Sequence, residues 1–179
     1  MPEYYKVNVA GLERDLIRCP LNDKIDIAGF IVFGDVELTI RVSEELLKKC
    51  PDFDFIVTPE AKSIPIAYEM SRQSGKKYLV ARKRAKLYMK DPVTVEVRSI
   101  TTDAVQTLIM DSLEGEQLRG KKVFIVDDVI STGESLRAVE ALVSKFDAEV
   151  VAKCAVFAEG DASDRDDIIF LEKLPLLFK

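Results

Sequence analysis

The sequence predicts an α/β fold in which helices flank a twisted parallel sheet. Along the 179 residues, short apolar runs alternate with segments whose apolar residues recur at helical spacing. The run at 122–126 is continuously apolar after its first residue, as in strands that are buried on both faces of a sheet. Because strand–helix–strand units connect in a right-handed sense, this order of elements produces parallel strands with helices on both faces.

The first half of the chain is predicted to contain two helices and two strands. Residues 1–30 are mixed, with short apolar stretches separated by turn formers. A helix is expected over 36–49, because Leu38, Val42 and Leu46 recur at four-residue spacing. The other elements expected in this half are a strand at 53–57, a loop at 58–63, a helix at 64–74 and a strand at 77–81.

The second half is predicted to begin with a hairpin and to complete the sheet. Val93, Val95 and Val97 alternate with polar residues, which indicates a half-exposed strand over 92–98 that pairs with 104–110. The elements expected after the hairpin are a strand at 122–126, a helix at 133–146, a strand at 149–157 and a short strand at 168–171. Ligands of such sheets bind beyond the carboxyl ends of the strands, so the loops that follow residues 57, 81 and 126 are the predicted site.

Composition favours one soluble domain over residues 1–179. Apolar residues make up 47% of the chain and charged residues 32%, and no run approaches the roughly 18 to 20 apolar residues of a membrane helix. No secretory signal is visible, and three widely spaced cysteines indicate reduced thiols in a cytoplasmic protein. The absence of histidine excludes a Ser-His-Asp triad. The net charge of −5 argues against a nucleic-acid partner.

The most informative segment is the run at 123–135, VFIVDDVISTGES. Its apolar strand ends in two adjacent carboxylates, Asp127 and Asp128, and a Ser-Thr-Gly turn then leads into a helical pattern. A turn at a helix N-terminus offers backbone N–H groups to a phosphate, and carboxylates accept hydrogen bonds from vicinal sugar hydroxyls. Taken alone, the doublet also fits helix capping. The hydroxyl-rich turn beside it favours a site for a ribose 5-phosphate.

This segment resembles the motif that binds phosphoribosyl diphosphate in type I phosphoribosyltransferases, and the chain looks most similar to the adenine and xanthine enzymes. The resemblance implies the fold of that family, with a small hood to which residues 1–35 contribute and a flexible β-hairpin lid over 84–106. It also implies that Asp127 and Asp128 contact the ribose 2- and 3-hydroxyls. The residues implied to hold the 5-phosphate are Ser131, Thr132, Gly133, Glu134 and Ser135.

Two further segments match the diphosphate site of the family. Ala61, Lys62 and Ser63 stand where the adenine enzymes have Ala-Arg-Gly, and a lysine can still pair with diphosphate as a point charge. The other segment, 82–90, carries five positive charges in an acidic protein, and by resemblance Lys83 and Lys86 meet the diphosphate. The alternatives are an ordinary strand-to-helix loop for the first segment and a solvated charged face for the second.

The resemblance also implies where the purine lies. Leu21 and Asn22 match a Leu-Asn pair that covers the base in the xanthine enzymes, although the residues alone predict only a turn. Those enzymes carry a lysine after a glutamate near the end of the sheet, whereas Glu159 is followed here by a glycine. An acceptor such as Glu159 or a backbone carbonyl suits the amino group of adenine, so we expect adenine to be preferred.

The expected function is therefore purine salvage: transfer of the 5-phosphoribosyl group from phosphoribosyl diphosphate to N9 of a purine, with adenine giving AMP and diphosphate. The resemblance implies Mg²⁺, bound mainly through diphosphate and ribose oxygens instead of a cage of protein ligands. It also implies a homodimer. Xanthine, hypoxanthine and guanine stay open as alternative bases. A regulator that senses phosphoribosyl diphosphate without catalysis stays open as an alternative class of protein.

Overall fold

The computed structural model describes residues 3–98 and 105–179. In this part of the chain the strands are β1 (Tyr4–Val9), β2 (Leu12–Pro20), β3 (Ile25–Gly29), β4 (Phe55–Pro59), β5 (Lys77–Ala81), β6 (Val93–Arg98), β7 (Val105–Met110), β8 (Lys122–Ile130), β9 (Glu149–Glu159), β10 (Ile169–Leu174) and β11 (Leu177–Phe178). The α-helices are α1 (Val36–Lys49), α2 (Ile64–Ser74), α3 (Ser112–Gly115) and α4 (Glu134–Ser144), and 3₁₀ turns lie at Glu116–Leu118 and Gly160–Asp164.

Five strands form a parallel central sheet in the order β10-β9-β8-β4-β5. The predicted α/β fold is thereby confirmed. Side chains of β8 alternate between the two faces: Phe124 and Val126 belong to one hydrophobic core, and Val123 and Ile125 to the other. Since both faces are covered, a continuous apolar run is the pattern that this strand requires.

The helices divide between the two faces as the apolar spacing predicted. Leu38, Val42 and Leu46 of α1 are buried in the first core, which α2 and the N-terminal strands also share. Helix α4 fills the second core with Leu136 and Val139 among its buried residues. Among the described residues, no helix is long and apolar enough to cross a membrane.

The N-terminal residues form an antiparallel hood sheet in the order β1-β2-β3-β11. Residues 1–30, for which the sequence indicated only mixed structure, contain its first three strands, although residues 1 and 2 lie outside the described part. The fourth strand comes from the opposite end of the chain, where Leu177 pairs with Asp26 and Phe178 with Ile25. This long-range pairing carries no local sequence signal.

The predicted hairpin forms from β6 and β7 and packs on α4 through Val95 and Leu108, which are buried in the second core. Its base is fastened because Arg82 and Ile109 exchange backbone hydrogen bonds of 2.8 and 2.7 Å. Asp111 also accepts the backbone N–H of Lys90 at 2.7 Å. Residues 99–104 lie outside the described part, so the lid expected over 84–106 stays a prediction.

Several predicted boundaries were wrong by a few residues, mostly at strand ends. The strand expected at 122–126 runs to Ile130, so that Asp127 and Asp128 lie inside β8 and not after it. Pairing with β9 continues beyond the apolar run because Asp127 stands opposite Ala155 and Ile130 opposite Ala158. The other shifted elements are the strands now at Phe55–Pro59, Glu149–Glu159 and Ile169–Leu174 and the helix at Glu134–Ser144.

Candidate active site

Asp127 and Asp128 lie near the carboxyl end of β8, and both are buried, at 7% and 5% exposure. The Asp127 carboxylate accepts the backbone N–H of Asp128 at 2.8 Å. The ammonium of Lys62 stands 2.6 Å from Asp128 Oδ2. That contact is an ion pair without the alignment of a hydrogen bond, so this buried oxygen has no hydrogen-bond donor among the described residues. The doublet therefore presents an acceptor that a sugar hydroxyl could satisfy.

The loop after β4 is held to β8 by buried hydroxyl groups. The Thr58 hydroxyl lies 2.8 Å from the Val126 carbonyl oxygen and 2.8 Å from the Ser63 hydroxyl, which itself lies 3.1 Å from the Pro59 carbonyl oxygen. Ser63 has a φ of −82°, in the region that any L-residue adopts, so its replacement of a glycine introduces no backbone strain. This anchoring keeps Lys62 above the acidic doublet.

The loop after β5 lies beside the loop after β4, and Glu60 joins them. The backbone N–H of Glu60 donates to the Ala81 carbonyl at 2.8 Å, and its carboxylate accepts the backbone N–H of Lys83 at 2.9 Å. The Glu60–Ala61 peptide bond is cis. Lys83 and Lys86 are exposed on the second loop. The two segments predicted to hold diphosphate are thus adjacent at the carboxyl edge of the sheet.

The turn Ser131–Thr132–Gly133 connects β8 to α4. Gly133 is the N-cap of α4 with a φ of 76°, and as a glycine it has no side chain with which to cap the helix. A positive φ favours glycine, and the N-terminus of a helix presents backbone N–H groups that can bind an anion. The backbone N–H of Glu134 donates to Thr132 Oγ1 at 3.4 Å, and Ser135 is half-buried in the first helical turn. The geometry suits an anion such as a phosphate.

A cavity of about 690 Å³ opens beside this turn and extends under the hood. Ser131 and Thr132 form one side, and Glu159 lies at the end of β9. The apolar lining comes from Leu21, Ile27 and Leu176. This size and this mixture of apolar walls with a few polar groups are typical of small-molecule sites.

The structure separates the two residues that were expected to cover the purine. Leu21 lines the cavity. The Asn22 side chain instead accepts the backbone N–H groups of Lys24 and Ile25, both at 2.9 Å, and so closes the turn between β2 and β3. A contact between Asn22 and a base stays a prediction. In this structure Asn22 belongs to the turn that the residues alone predicted.

Burial controls the charge of the site. Burial, and then the adjacent negative charge of Asp128, raise the pKa of Asp127 above its ordinary value, whereas the charge of Lys62 opposes the shift. Burial also raises the pKa of Glu159, and Lys62 again acts in the opposite direction. Lys62 is therefore close enough to act electrostatically on the acidic doublet and on the cavity.

The described residues contain no group of His, Cys, Asp or Glu side chains arranged to hold a metal ion. A Mg²⁺ ion held mainly by the oxygens of a substrate and by water needs no such group. The carboxylates of Asp127 and Asp128 are the acceptors at this edge that water ligands of such an ion could meet. The buried Asp128 Oδ2, which lacks a hydrogen-bond donor in the described part, fits that role.

Five cavity residues were not singled out from the sequence: Ile27, Asp161, Ala162, Arg165 and Leu176. Ile27 and Leu176 have the pattern of ordinary core residues. Leu176 reaches the cavity only because the chain returns to the hood after β10, which brings its side chain 3.6 Å from the position that a Cβ on Gly160 would occupy. Arg165 stands among acidic residues, a pattern that indicates only a solvated charged surface.

Comparison with known proteins identifies the family to which this chain belongs. Residues 36–173 match the phosphoribosyl transferase domain family. The adenine phosphoribosyltransferase of Thermotoga maritima is 32% identical over 132 residues, which cover 68% of this chain and 73% of the relative. The hypoxanthine/guanine phosphoribosyltransferase of Methanococcus voltae is 36% identical over 114 residues, which cover 64% of this chain and 57% of the relative.

Solved structures agree on the architecture. The adenine phosphoribosyltransferase of Thermoanaerobacter pseudethanolicus superposes with a TM-score of 0.67 at 21% identity, covering 96% of this chain and 95% of that one. The enzyme from Saccharomyces cerevisiae superposes with a TM-score of 0.63 at 17% identity, covering 95% and 92%. The parallel sheet, the antiparallel hood and the family match lead to one conclusion: this chain is a phosphoribosyltransferase with the type I fold.

Proposed function

We propose that this protein transfers the 5-phosphoribosyl group from phosphoribosyl diphosphate to N9 of a purine, with adenine as the preferred base, in purine salvage. One observation carries the proposal. The acidic doublet, the Lys62 loop and the Ser-Thr-Gly turn converge at one edge of the sheet, beside a cavity of about 690 Å³. A phosphorylated sugar, a leaving diphosphate and a flat base require these three kinds of contact side by side.

Each part of the donor has a proposed partner. Asp127 and Asp128 accept hydrogen bonds from the ribose 2- and 3-hydroxyls, since the doublet offers a buried oxygen without a donor in the described part. The residues proposed to hold the 5-phosphate with backbone N–H groups, helped by the hydroxyls of Thr132 and Ser135, are Ser131, Thr132, Gly133, Glu134 and Ser135. The residues proposed to meet the diphosphate are Ala61, Lys62, Ser63, Lys83 and Lys86.

The reaction exchanges one bond at the sugar for another. The bond from C1 to the diphosphate oxygen breaks, and its electron pair leaves with diphosphate. The N9 lone pair forms the new bond to C1, and the N9 proton is released to solvent. The protein positions both reactants and neutralises the leaving group, and a closed hairpin lid would exclude water that could capture the cationic sugar. Mg²⁺, when bound, neutralises part of the diphosphate charge.

The preference for adenine rests on the polar groups near the cavity end of β9. Glu159 lines the cavity and is followed by Gly160, so no lysine is present there to donate to an oxygen on C6. The Glu159 side chain and backbone carbonyls supply acceptors for the amino group of adenine. The adenine enzymes among the relatives support the same choice, whereas the hypoxanthine/guanine relative keeps 6-oxopurines as the alternative.

A direct assay tests the proposal. Purified protein with Mg²⁺, phosphoribosyl diphosphate and each of adenine, hypoxanthine, guanine and xanthine should release diphosphate fastest with adenine. Asp128→Asn should lower the rate by at least about tenfold, as expected when a charged hydrogen bond worth roughly 1.5–3 kcal/mol is lost. The matched control is Asp52→Asn, whose side chain is 83% exposed before the other end of β4. A full rate in Asp128→Asn would refute the role of the doublet.

The same experiment separates an enzyme from a sensor. Tight binding of phosphoribosyl diphosphate without product from any of the four bases would indicate a non-catalytic regulator. We further propose a homodimer in the cytoplasm, as the resemblance implies. Light scattering at micromolar concentration measures the mass in solution, and a monomer of 20.1 kDa would contradict the dimer.

A further inference from the structure

We propose that Arg165 is a substrate-binding residue that holds the 5-phosphate of the sugar together with the turn before α4. This inference rests on the proposed function and adds a guanidinium that neither the motif at 123–135 nor the basic segment at 82–90 supplies. It assigns the phosphate a cation of its own, separate from the lysines proposed for the diphosphate.

Arg165 lies against the turn although it is distant from it in sequence. It follows the 3₁₀ turn at Gly160–Asp164 and lines the same cavity as Ser131 and Thr132. Its Nη1 atom stands only 2.6 Å from the position that a Cβ on Gly133 would occupy. The guanidinium therefore packs on the backbone of the turn at the one residue that carries no side chain.

The orientation of the guanidinium is fixed from the other side. Nε and Nη2 of Arg165 donate to the two carboxylate oxygens of Asp167 at 2.8 and 2.7 Å. Asp167 also accepts from Lys153 at 2.8 Å, and Lys153 stands 3.1 Å from Glu140 of α4. Because Asp167 binds Arg165 through two hydrogen bonds and is itself held by Lys153, the guanidinium has little rotational freedom. Asp167 is in this sense a positioning residue.

This arrangement leaves Nη1 available. The hydrogen bonds of Arg165 in the described part of the chain use only Nε and Nη2. Its side chain is 32% exposed, so a ligand in the cavity can reach it. Guanidinium groups with free N–H donors are well suited to phosphate oxygens.

Without a bound anion, the contact of Arg165 with the N-terminus of α4 is electrostatically unfavourable. The N-terminus of a helix carries a partial positive charge, so a cation beside it is repelled. Arg165 nevertheless faces the N-terminus of α4, an eleven-residue helix whose N-cap, Gly133, has no side chain. A phosphate bound between them would convert this repulsion into two attractions. Asp167 and Glu140 supply the negative charge that holds Arg165 there without a ligand.

The test compares two ligands and two arginines. Arg165→Gln should weaken the binding of ribose 5-phosphate at least about tenfold, because a charged hydrogen bond to the phosphate is lost. Binding of inorganic diphosphate, which lacks the 5-phosphate, should change less than about twofold by the same reasoning. The matched control is Arg119→Gln, because Arg119 makes a similar fork with Glu116, at 2.8 and 2.8 Å, outside the cavity. Calorimetry on the full chain measures both affinities.

Further variants separate binding from folding. Arg165→Lys keeps the charge but loses the fork, so it should weaken ribose 5-phosphate less than Arg165→Gln does. Asp167→Asn should weaken ribose 5-phosphate and spare diphosphate, which a merely structural role would not do. Equal weakening of both ligands in Arg165→Gln and Arg165→Lys would show general damage to the fold and overturn the inference.

The inference and the proposed function can fail independently. Unchanged ribose 5-phosphate affinity in Arg165→Gln would overturn the role of Arg165 even if the unmodified protein converts adenine to AMP. A wild-type protein that binds ribose 5-phosphate through Arg165 but converts no purine would refute the enzyme and support the inference. If the wild-type protein did not bind ribose 5-phosphate at all, both would fall.

Discussion

Lys62 is the cation closest to the acidic doublet, and its replacement tests how the ligand-free site is held together. Its ammonium lies 2.6 Å from the Asp128 carboxylate, with the lysine side chain 51% exposed and the aspartate side chain 7% exposed. Lys62→Met keeps most of the aliphatic stem and removes the charge. Two buried carboxylates then stand side by side without that counter-charge, so we expect the ligand-free protein to be less stable.

The distance between the two charges and their exposure set the size of the expected loss of stability. Two unit charges 2.6 Å apart interact with about 1.6 kcal/mol in bulk water and about 6 kcal/mol at an effective dielectric constant of 20. Half exposure of Lys62 places the pair near the lower value, and ordering the lysine side chain costs roughly 1 kcal/mol. Loss of the pair also strands a buried charge, which adds to the cost. We therefore expect a loss of about 1–2 kcal/mol, or roughly 2–8 °C in Tm for a chain of this size.

The loss of stability caused by Lys62→Met should grow with pH, and this pH dependence is the sharper test. Burial and the charge of Asp128 raise the pKa of Asp127 to about 8, so Asp127 is neutral at pH 5 and acquires charge as the pH rises. Lys62 is needed more once Asp127 carries a negative charge. Thermal unfolding at pH 5 and pH 8.5, without ligand, measures both losses.

A matched control removes a cation of similar exposure. Lys48→Met removes a lysine that is 56% exposed and lies 2.8 Å from Glu45 on the surface of α1. Its loss should cost less than about 0.5 kcal/mol at either pH, as for other exposed pairs within a helix. If Lys62→Met cost no more than Lys48→Met at pH 8.5, or lost as much at pH 5 as at pH 8.5, the reasoning would be refuted.

Three other substitutions give expected outcomes. The stability of Asp127→Asn relative to the wild type should increase as the pH rises. The pKa of Asp127 is raised in the folded protein, so the wild type loses stability as the pH rises above the unfolded value of 3.8. A stability difference between variant and wild type that is the same at pH 5 and pH 8.5, measured by chemical denaturation, would contradict this. Gly115→Ala should lose about 1–3 kcal/mol with an unchanged KM, because its Cβ would stand 2.1 Å from the ring of Phe146; chemical denaturation and kinetics check both. Gly133→Ala should cost about 1–2 kcal/mol through its φ of 76° and should raise the KM for phosphoribosyl diphosphate by displacing Arg165, whereas an unchanged KM would show that the turn adapts.

Much of the site could be predicted because its parts are contiguous in the chain. Asp127, Asp128 and the Ser131–Gly133 turn lie within one short segment, and their order along a buried strand already placed them at the edge of a parallel sheet. Lys62 was predicted to meet a diphosphate, but its contact with Asp128 was not. That contact depends on two loops being neighbours in space, which strand order decides and local pattern does not.

The residues that the sequence missed are those that reach the cavity from distant parts of the chain. Arg165 meets Gly133 across 32 positions of sequence, and Leu176 arrives only because β11 joins the hood beside β3. Neither has a local periodicity that distinguishes it from a charged surface or an ordinary core residue.

The sequence by itself determined the secondary structure of the central sheet, the two faces of its helices and the chemistry of its principal loops. These properties follow from the spacing of apolar residues and from side-chain types, both of which are local. The tertiary structure alone decided how the hood closes the cavity and where the buried acidic doublet finds its counter-charge. Such contacts depend on strand order and on chain segments that are far apart in sequence, so they become visible only when the chain is folded.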